Sequence, residues 1–328
     1  MTEPVRIGVI GAGSFGQRHI RAYARNPGVE IVGIADRDAD RAQSVAARWG
    51  ISNWYEDGLT MLHSCRPDGV SVATPAGHHL EPTLAALAQS CSVLLEKPVA
   101  LSSVGVAAIV DAAHASDGFV MPAHILRFAA PYIELRGRLQ RRAIGTLLGI
   151  SSVRDRGRGH AQLFPDLHPA LMTAIHDIDL ALWLSETHAV RVSAHGRGRN
   201  EDGRPTLLFA SVEAADGSVW SLRTSWLMPD EAMPSDRLEV YGTQGAITLD
   251  LKPTVSVLGM TVENVDHEIT PDTHLGALDA EIDHFCACIR ERTEPSVVTL
   301  SEAAHGIEIA EAIVASDNAG GELIDLSA

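Results

Sequence analysis

The apolar run Val5-Arg6-Ile7-Gly8-Val9-Ile10 leads straight into Gly11-Ala12-Gly13-Ser14-Phe15-Gly16, and Asp36 closes the next apolar run twenty residues after Gly16. This arrangement requires a strand, a tight turn and a helix in that order. Gly11 permits the turn, Gly13 lets a pyrophosphate approach the backbone, and Gly16 lets the helix pack on the strand. The first amides of the helix then face the phosphates. Three glycines alone are a weak signal, but Val29-Glu30-Ile31-Val32-Gly33-Ile34-Ala35 supplies a second strand that ends on Asp36, a carboxylate placed for an adenosine ribose. The expected cofactor is NAD rather than NADP, because Asp36 hydrogen-bonds ribose hydroxyls and repels a 2'-phosphate. Arg37 is the competing feature, since it can stack on adenine or accept that phosphate. Ser14 and Phe15 complete the candidate cradle.

A chain of 328 residues exceeds one comfortable core and points to two domains. Strand-like and helix-like segments alternate at 5–10, 14–26, 29–35, 38–49, 69–73, 79–90 and 92–95, which calls for a doubly wound parallel sheet. Beyond about residue 122 the texture changes to strands at 146–153, 206–214, 218–227, 237–241 and 246–251, with Asp216-Gly217 as a hairpin turn. Trp220, Leu222, Thr224 and Trp226 alternate onto one face of the 218–227 strand. Helices are expected at about 169–184, 277–291 and 301–316. The predicted organisation is therefore a Rossmann α/β domain over 1–121 and an α+β domain with a large, mostly antiparallel open sheet over 122–328.

A formal charge of −16 argues against nucleic acid or an anionic membrane surface as the main partner. No stretch has the apolar length of a membrane span, and the opening Met-Thr-Glu-Pro lacks a signal-type pattern, so a cytoplasmic protein is expected. Cys65, Cys91, Cys286 and Cys288 contain no CxxC pair; buried free thiols are expected, and no metal site.

Chemistry is expected where strands of the first domain end. Thr74 and Pro75 follow the buried strand Ser71-Val72-Ala73, His79 opens the next helix, and Glu96-Lys97-Pro98 ends the following strand. Ligands bind at that edge of such a sheet. A lysine beside a nicotinamide holds a substrate hydroxyl and stabilises the negative charge that develops on its oxygen. In the second domain, helical spacing puts Met172, His176, Asp179, Leu180 and Trp183 on one face, with Asp177 about a quarter-turn away. Arg154, Arg156 and Arg158 stand at alternate positions in an otherwise acidic chain. They read either as a solvated loop or as a clamp for a carboxylate or phosphate.

The order of these segments, GAGSFG, SVATPAGHH at 71–79, LLEKP at 94–98, HILRF at 124–128 and AIHDIDLALWL at 174–184, resembles the glucose-fructose oxidoreductase / inositol dehydrogenase family, Gfo/Idh/MocA, over almost the whole chain. That resemblance implies catalytic roles for Lys97 and His176. It implies cofactor or strand-end roles for Glu96 and Pro98; His124, Arg127, Asp177 and Asp179 are the further substrate-side candidates, and on helical spacing Asp179 is the better placed to orient His176. It also implies assembly as a homodimer or homotetramer through the outer face of the second sheet. One departure is Met172, where the family commonly has an aspartate one turn before the histidine. Another is Ser90-Cys91-Ser92, in place of a Gly-Lys-His-like turn.

The implied activity is NAD-dependent transfer of a hydride between nicotinamide and a secondary hydroxyl of a sugar, polyol or sugar acid. The arginine cluster favours an anionic substrate. Two other readings are an enzyme that uses transient oxidation for glycoside cleavage or isomerisation without net redox change, and a regulator that senses the cofactor.

Overall fold

Six strands, β1 (Val5–Ile10), β2 (Val29–Ala35), β3 (Trp54–Tyr55), β4 (Gly69–Val72), β5 (Ser92–Glu96) and β6 (Val120–Ala123), pair in parallel in the order β3-β2-β1-β4-β5-β6. These strands belong to a computed structural model that describes residues 3–232, 234–250, 255–257, 260–262 and 276–326. The order reverses between β1 and β4, so a crevice opens at their carboxyl ends. Helices α1 (Ser14–Arg25), α2 (Ala39–Trp49), α3 (Gly58–Cys65), α4 (Leu80–Leu87) and α5 (Ser103–His114) connect the strands. Asp38, Asp57 and Ser102 start α2, α3 and α5, each side chain accepting a bond from a first-turn amide. Both faces of the sheet are covered, and Ile7, Val9, Ile34, Val70, Val93 and Leu94 are fully buried.

The second sheet joins β7 (Leu147–Gly157), β8 (Ala189–Arg199), β9 (Pro205–Ala214), β10 (Val219–Met228), β11 (Ser235–Gly242) and β12 (Gly245–Asp250). Helix α6 (Ala130–Gln140) precedes it. Between β7 and β8 come α7 (Gly159–Leu163), a π-helical turn at Ala170–Ala174 and α8 (Ile175–Ser185). The short strands β13 (Val255–Val257) and β14 (Met260–Val262) pair with each other, and α9 (Ala277–Glu291), α10 (Leu300–Asn318) and β15 (Ile324–Asp325) complete the chain. Strand order is β12-β11-β7-β10-β9-β8-β15, antiparallel except for the parallel pair β7/β10. The expected hairpin joins β9 to β10, with Gly217 at φ +84°. Trp220, Leu222, Thr224 and Trp226 form the buried face of β10, as the alternation requires.

The chain divides into two compact units, 1–128 with 276–307, and 129–275 with 308–328. This corrects the single division at 121/122. Residues 276–307 return to the nucleotide-binding unit because α9 carries the apolar face of Leu278, Ile282, Phe285 and Cys286, which packs on α1 and on the turn at Ile125–Phe128. Phe285 meets Phe119 edge to face at 5.7 Å. All four cysteines are buried and free, and burial pushes the Cys286 thiol up to about 12. Among the described residues no helix is long and apolar enough to cross a membrane.

Candidate active site

Only one of the three cradle glycines faces open space. A Cβ on Gly11, which holds φ +98°, would lie 2.5 Å from the Ala73 carbonyl oxygen, and one on Gly16 would run into the Gly11 carbonyl oxygen. A Cβ on Gly13 would meet nothing within 4 Å. Gly13 is also the N-cap of α1, whose first turn carries no acidic residue and whose amides have no capping side chain. The cradle is thus closed behind and open in front, and it presents the positive end of a helix to a ligand. An open cavity here is lined by Gly13, Ser14, Gln17 and Arg41. Phe15 is half exposed, with the Arg18 guanidinium 5.1 Å from its ring centroid.

At the end of β2, Asp36 accepts bonds from the amides of Ala12 at 2.7 Å and Asp38 at 2.9 Å, which fix the carboxylate beside the cradle. Arg41 reaches the same carboxylate at 3.1 Å and Asp38 at 2.8 Å. Arg37 is exposed, its guanidinium 3.4 Å from the His78 ring. These groups fit a dinucleotide. Gln17 and Arg41 are absent from the motif reading, although the i, i+3 spacing from Ser14 and the first-turn position in α2 place both near the cradle.

At the end of β5, Lys97 is the one residue between 91 and 100 that is not buried. Thr74 is half exposed, its hydroxyl donating to the His78 carbonyl, and Pro75 is exposed. His79 and Glu96 differ from their expected place among the cofactor contacts. The His79 ring is buried between the carbonyl oxygens of Pro98 and Thr74, each at 2.8 Å, so it ties the ends of β5 and β4 together from beneath. Burial depresses its pKa, against the two carbonyl oxygens, which favour the protonated ring. Glu96 is buried against His19 at 3.0 Å and accepts the Lys97 amide at 3.1 Å. Arg127, expected near substrate, is 1% exposed and donates to Glu302 at 2.9 Å and to the Val297 carbonyl at 3.1 Å. Its charge serves the packing of the unit. His124 is also buried.

In the second unit every residue from 168 to 184 is buried except Met172 and His176. The π-helical turn shifts the phase expected for a regular helix, and Trp226 anchors it through a 2.8 Å bond to the Thr173 hydroxyl. Asp179 and Asp177 are both buried. Asp177 receives two bonds from Arg154, each 2.9 Å. Arg154 also donates to Asp236 at 2.6 Å, and Arg156 pairs with Asp236 at 2.5 Å. Burial alone would lower the Arg154 pKa, but Asp177 and Asp236 outweigh it and hold the guanidinium firmly charged. This overturns both readings for Arg154 and Arg156. Arg154 and Arg156 are neither solvated nor available to an anion, because β7 continues through residue 157 and points them at internal carboxylates. Arg158 alone of the three is exposed, its Nε 3.4 Å from the Leu227 carbonyl.

A glycine cradle open only at its pyrophosphate position, with an aspartate fixed at the second strand end, defines an oxidoreductase of the NAD-binding Rossmann class. Residues 5–124 match the oxidoreductase family with the NAD-binding Rossmann fold, and residues 132–248 match the Gfo/Idh/MocA C-terminal domain. The chain belongs to the Gfo/Idh/MocA family. It is 27% identical to scyllo-inositol 2-dehydrogenase (NAD(+)) of Bacillus subtilis, over 94% of this chain and 93% of that one. It is 25% identical to D-glucoside 3-dehydrogenase of Escherichia coli, over 86% of this chain and 88% of the relative. The same fold is seen in scyllo-inositol dehydrogenase of Lactobacillus casei with bound NAD(H) and scyllo-inositol, at TM-score 0.87 and 19% identity, covering 98% of this chain and 99% of that one.

Proposed function

We propose that this dehydrogenase oxidises a secondary hydroxyl of an uncharged polyol or sugar. The reading is carried by Lys97, the lone solvent-reaching side chain in a buried strand end of the same sheet that carries the NAD cradle. Bound NAD supplies the ring that accepts a hydride from the carbinol carbon. Lys97 donates a hydrogen bond to the substrate oxygen and stabilises the negative charge that grows there. His176 takes or relays the hydroxyl proton, a task for which an imidazole is suited near neutral pH. A neutral substrate is favoured over a sugar acid because internal carboxylates already engage Arg154 and Arg156.

The test is NAD reduction with scyllo-inositol, myo-inositol, a methyl glucoside and gluconate. Turnover confined to the acid overturns the reading. NAD is expected to be used more efficiently than NADP, and Asp36→Ala is expected to shift the ratio towards NADP. Equal catalytic efficiency with both cofactors in the wild type counts against the role given to Asp36.

We further propose that the outer face of the second sheet pairs with another copy of the chain. Phe209, Val219 and Tyr241 stand more than two-fifths exposed on that face, opposite the buried alternation of β9, β10 and β11. Light scattering is expected to give a dimer or tetramer, and Phe209→Asp to weaken it. A monomeric wild type rejects the interface.

A further inference from the structure

Beneath Lys97 lies a buried polar chain that the motif reading did not connect. Tyr23 and His19 on α1, Ser71 on β4 and Glu96 on β5 come from three separate elements of the nucleotide-binding unit. His19, Tyr23 and Ser71 have no solvent exposure. The Tyr23 hydroxyl is 2.7 Å from Ser71 Oγ, Ser71 Oγ is 3.0 Å from His19 Nδ1, and His19 Nε2 is 3.0 Å from Glu96 Oε1. The other carboxylate oxygen, Oε2, accepts the Lys97 backbone amide at 3.1 Å.

We propose that His19 is a positioning residue, which fixes the Lys97 backbone through Glu96 and so sets where the ammonium group stands.

The donors and acceptors of this chain can be assigned a consistent direction. Burial alone would raise the Glu96 pKa, but the hydrogen bond from His19 and the charge of Lys97 outweigh it and hold the carboxyl below its ordinary value. Ionised Glu96 is acceptor-only, so His19 Nε2 carries the proton towards it. In the neutral ring Nδ1 then accepts from Ser71, and Ser71 accepts from Tyr23. Burial holds the Tyr23 pKa well above its ordinary value, which keeps the phenol a donor. Every link is satisfied, and the chain ends on the amide of the one residue at the end of β5 that reaches solvent. A satisfied buried network fixes geometry more firmly than one apolar contact, because any displacement leaves a polar group unpaired. Gln is an uncharged replacement of similar reach that offers both functions, an N–H for Glu96 and a carbonyl for Ser71.

The inference rests on the role proposed for Lys97, and the test separates the two. His19→Leu, His19→Gln, Glu96→Gln and Lys97→Ala are compared by kcat and KM with scyllo-inositol and NAD, by NAD binding, and by hydrogen exchange at the Lys97 amide. His19→Leu is expected to lower kcat about tenfold to a hundredfold, speed Lys97 amide exchange, and leave NAD binding and KM near wild type. Glu96→Gln keeps the shape and removes the charge, and should show the same split. His19→Gln should restore kcat and slow exchange. Wild-type kcat and exchange in Glu96→Gln or in folded His19→Leu overturn the proposal, as does a His19→Gln variant as impaired as His19→Leu. If Lys97→Ala turns over like wild type, or scyllo-inositol is not oxidised, the functional reading fails. The amide exchange still decides whether His19 holds Lys97.

Discussion

Lys97→Ala is expected to lower turnover by about a hundredfold to ten-thousandfold while NAD binding stays near wild type. The separation follows from the architecture. The cradle at Gly11 to Gly16 is built by β1 and α1, whereas Lys97 stands at the end of β5, with β4 between them in the sheet. Removing the lysine side chain leaves the turn, the helix terminus and the Asp36 carboxylate as they are. His176→Ala is expected to lose turnover on the same scale, since it removes one of the two side chains that reach solvent between 168 and 184. Initial rates, set beside NAD titration by protein fluorescence, make the check. Near-normal turnover in either variant would reassign the roles, and the next candidates, Asp177, Asp179 and His124, are each 3% exposed or less.

The largest effect on stability is expected from Arg154→Ala. Arg154 and Asp177 are almost wholly buried, and Asp236 is 6% exposed, so removal of the guanidinium strands Asp177 in the interior of the second unit and leaves Asp236 to Arg156 alone. Breaking a buried pair in this way costs about 3–5 kcal/mol, which lowers the melting temperature by on the order of 10 °C in a unit of this size. Lys is expected to rescue little at this position, because a single ammonium cannot reproduce the two parallel bonds to Asp177. Arg158→Ala, at the exposed end of the run, should change stability by less than about 0.5 kcal/mol. Thermal unfolding of the two variants decides the matter, and equal melting points would show that the cluster does not hold the unit together.

The contrast between Arg154 and Lys97 shows what the chain order discloses. The nucleotide-binding half was legible because its signals are local. Gly11, Gly13 and Gly16 act within one turn, Asp36 closes the next strand, and Lys97 ends a short buried run. The arginine run was misread because its partners are remote, Asp177 lying 23 residues away and Asp236 lying 82. The alternation itself carried a usable signal. Ile150, Ser152 and Arg154 share one parity of β7 and one buried face, so Arg154 belonged inside with an acid to be found. Strand β8 escaped notice because Ala194 and Gly196, small residues on its buried face, mute the alternation. Helix α5, with valine, isoleucine and alanine around much of its circumference, gives a weak period. His19 was recoverable in part, since it sits beside Ile20 and one turn before Tyr23 on the buried side of α1. Its partners Ser71 and Glu96, 52 and 77 residues on, were not.

The return of residues 276–307 to the first unit bears on how the protein is made. Arg25 pairs with Asp279 at 3.2 Å, and Asn26 donates to Asp283 at 2.6 Å, so the end of α1 is joined to α9. On the ribosome, the 147 residues from 129 to 275 must be synthesised before that segment begins to emerge. At about 5–20 residues per second this interval is on the order of ten seconds. Through it the nascent nucleotide-binding half waits with the α9-facing side of α1 uncovered, while residues 129–275 of the other half emerge ahead of α9. Neither half is therefore complete until the last 53 residues are made, because 276–307 finish the first and 308–328 finish the second.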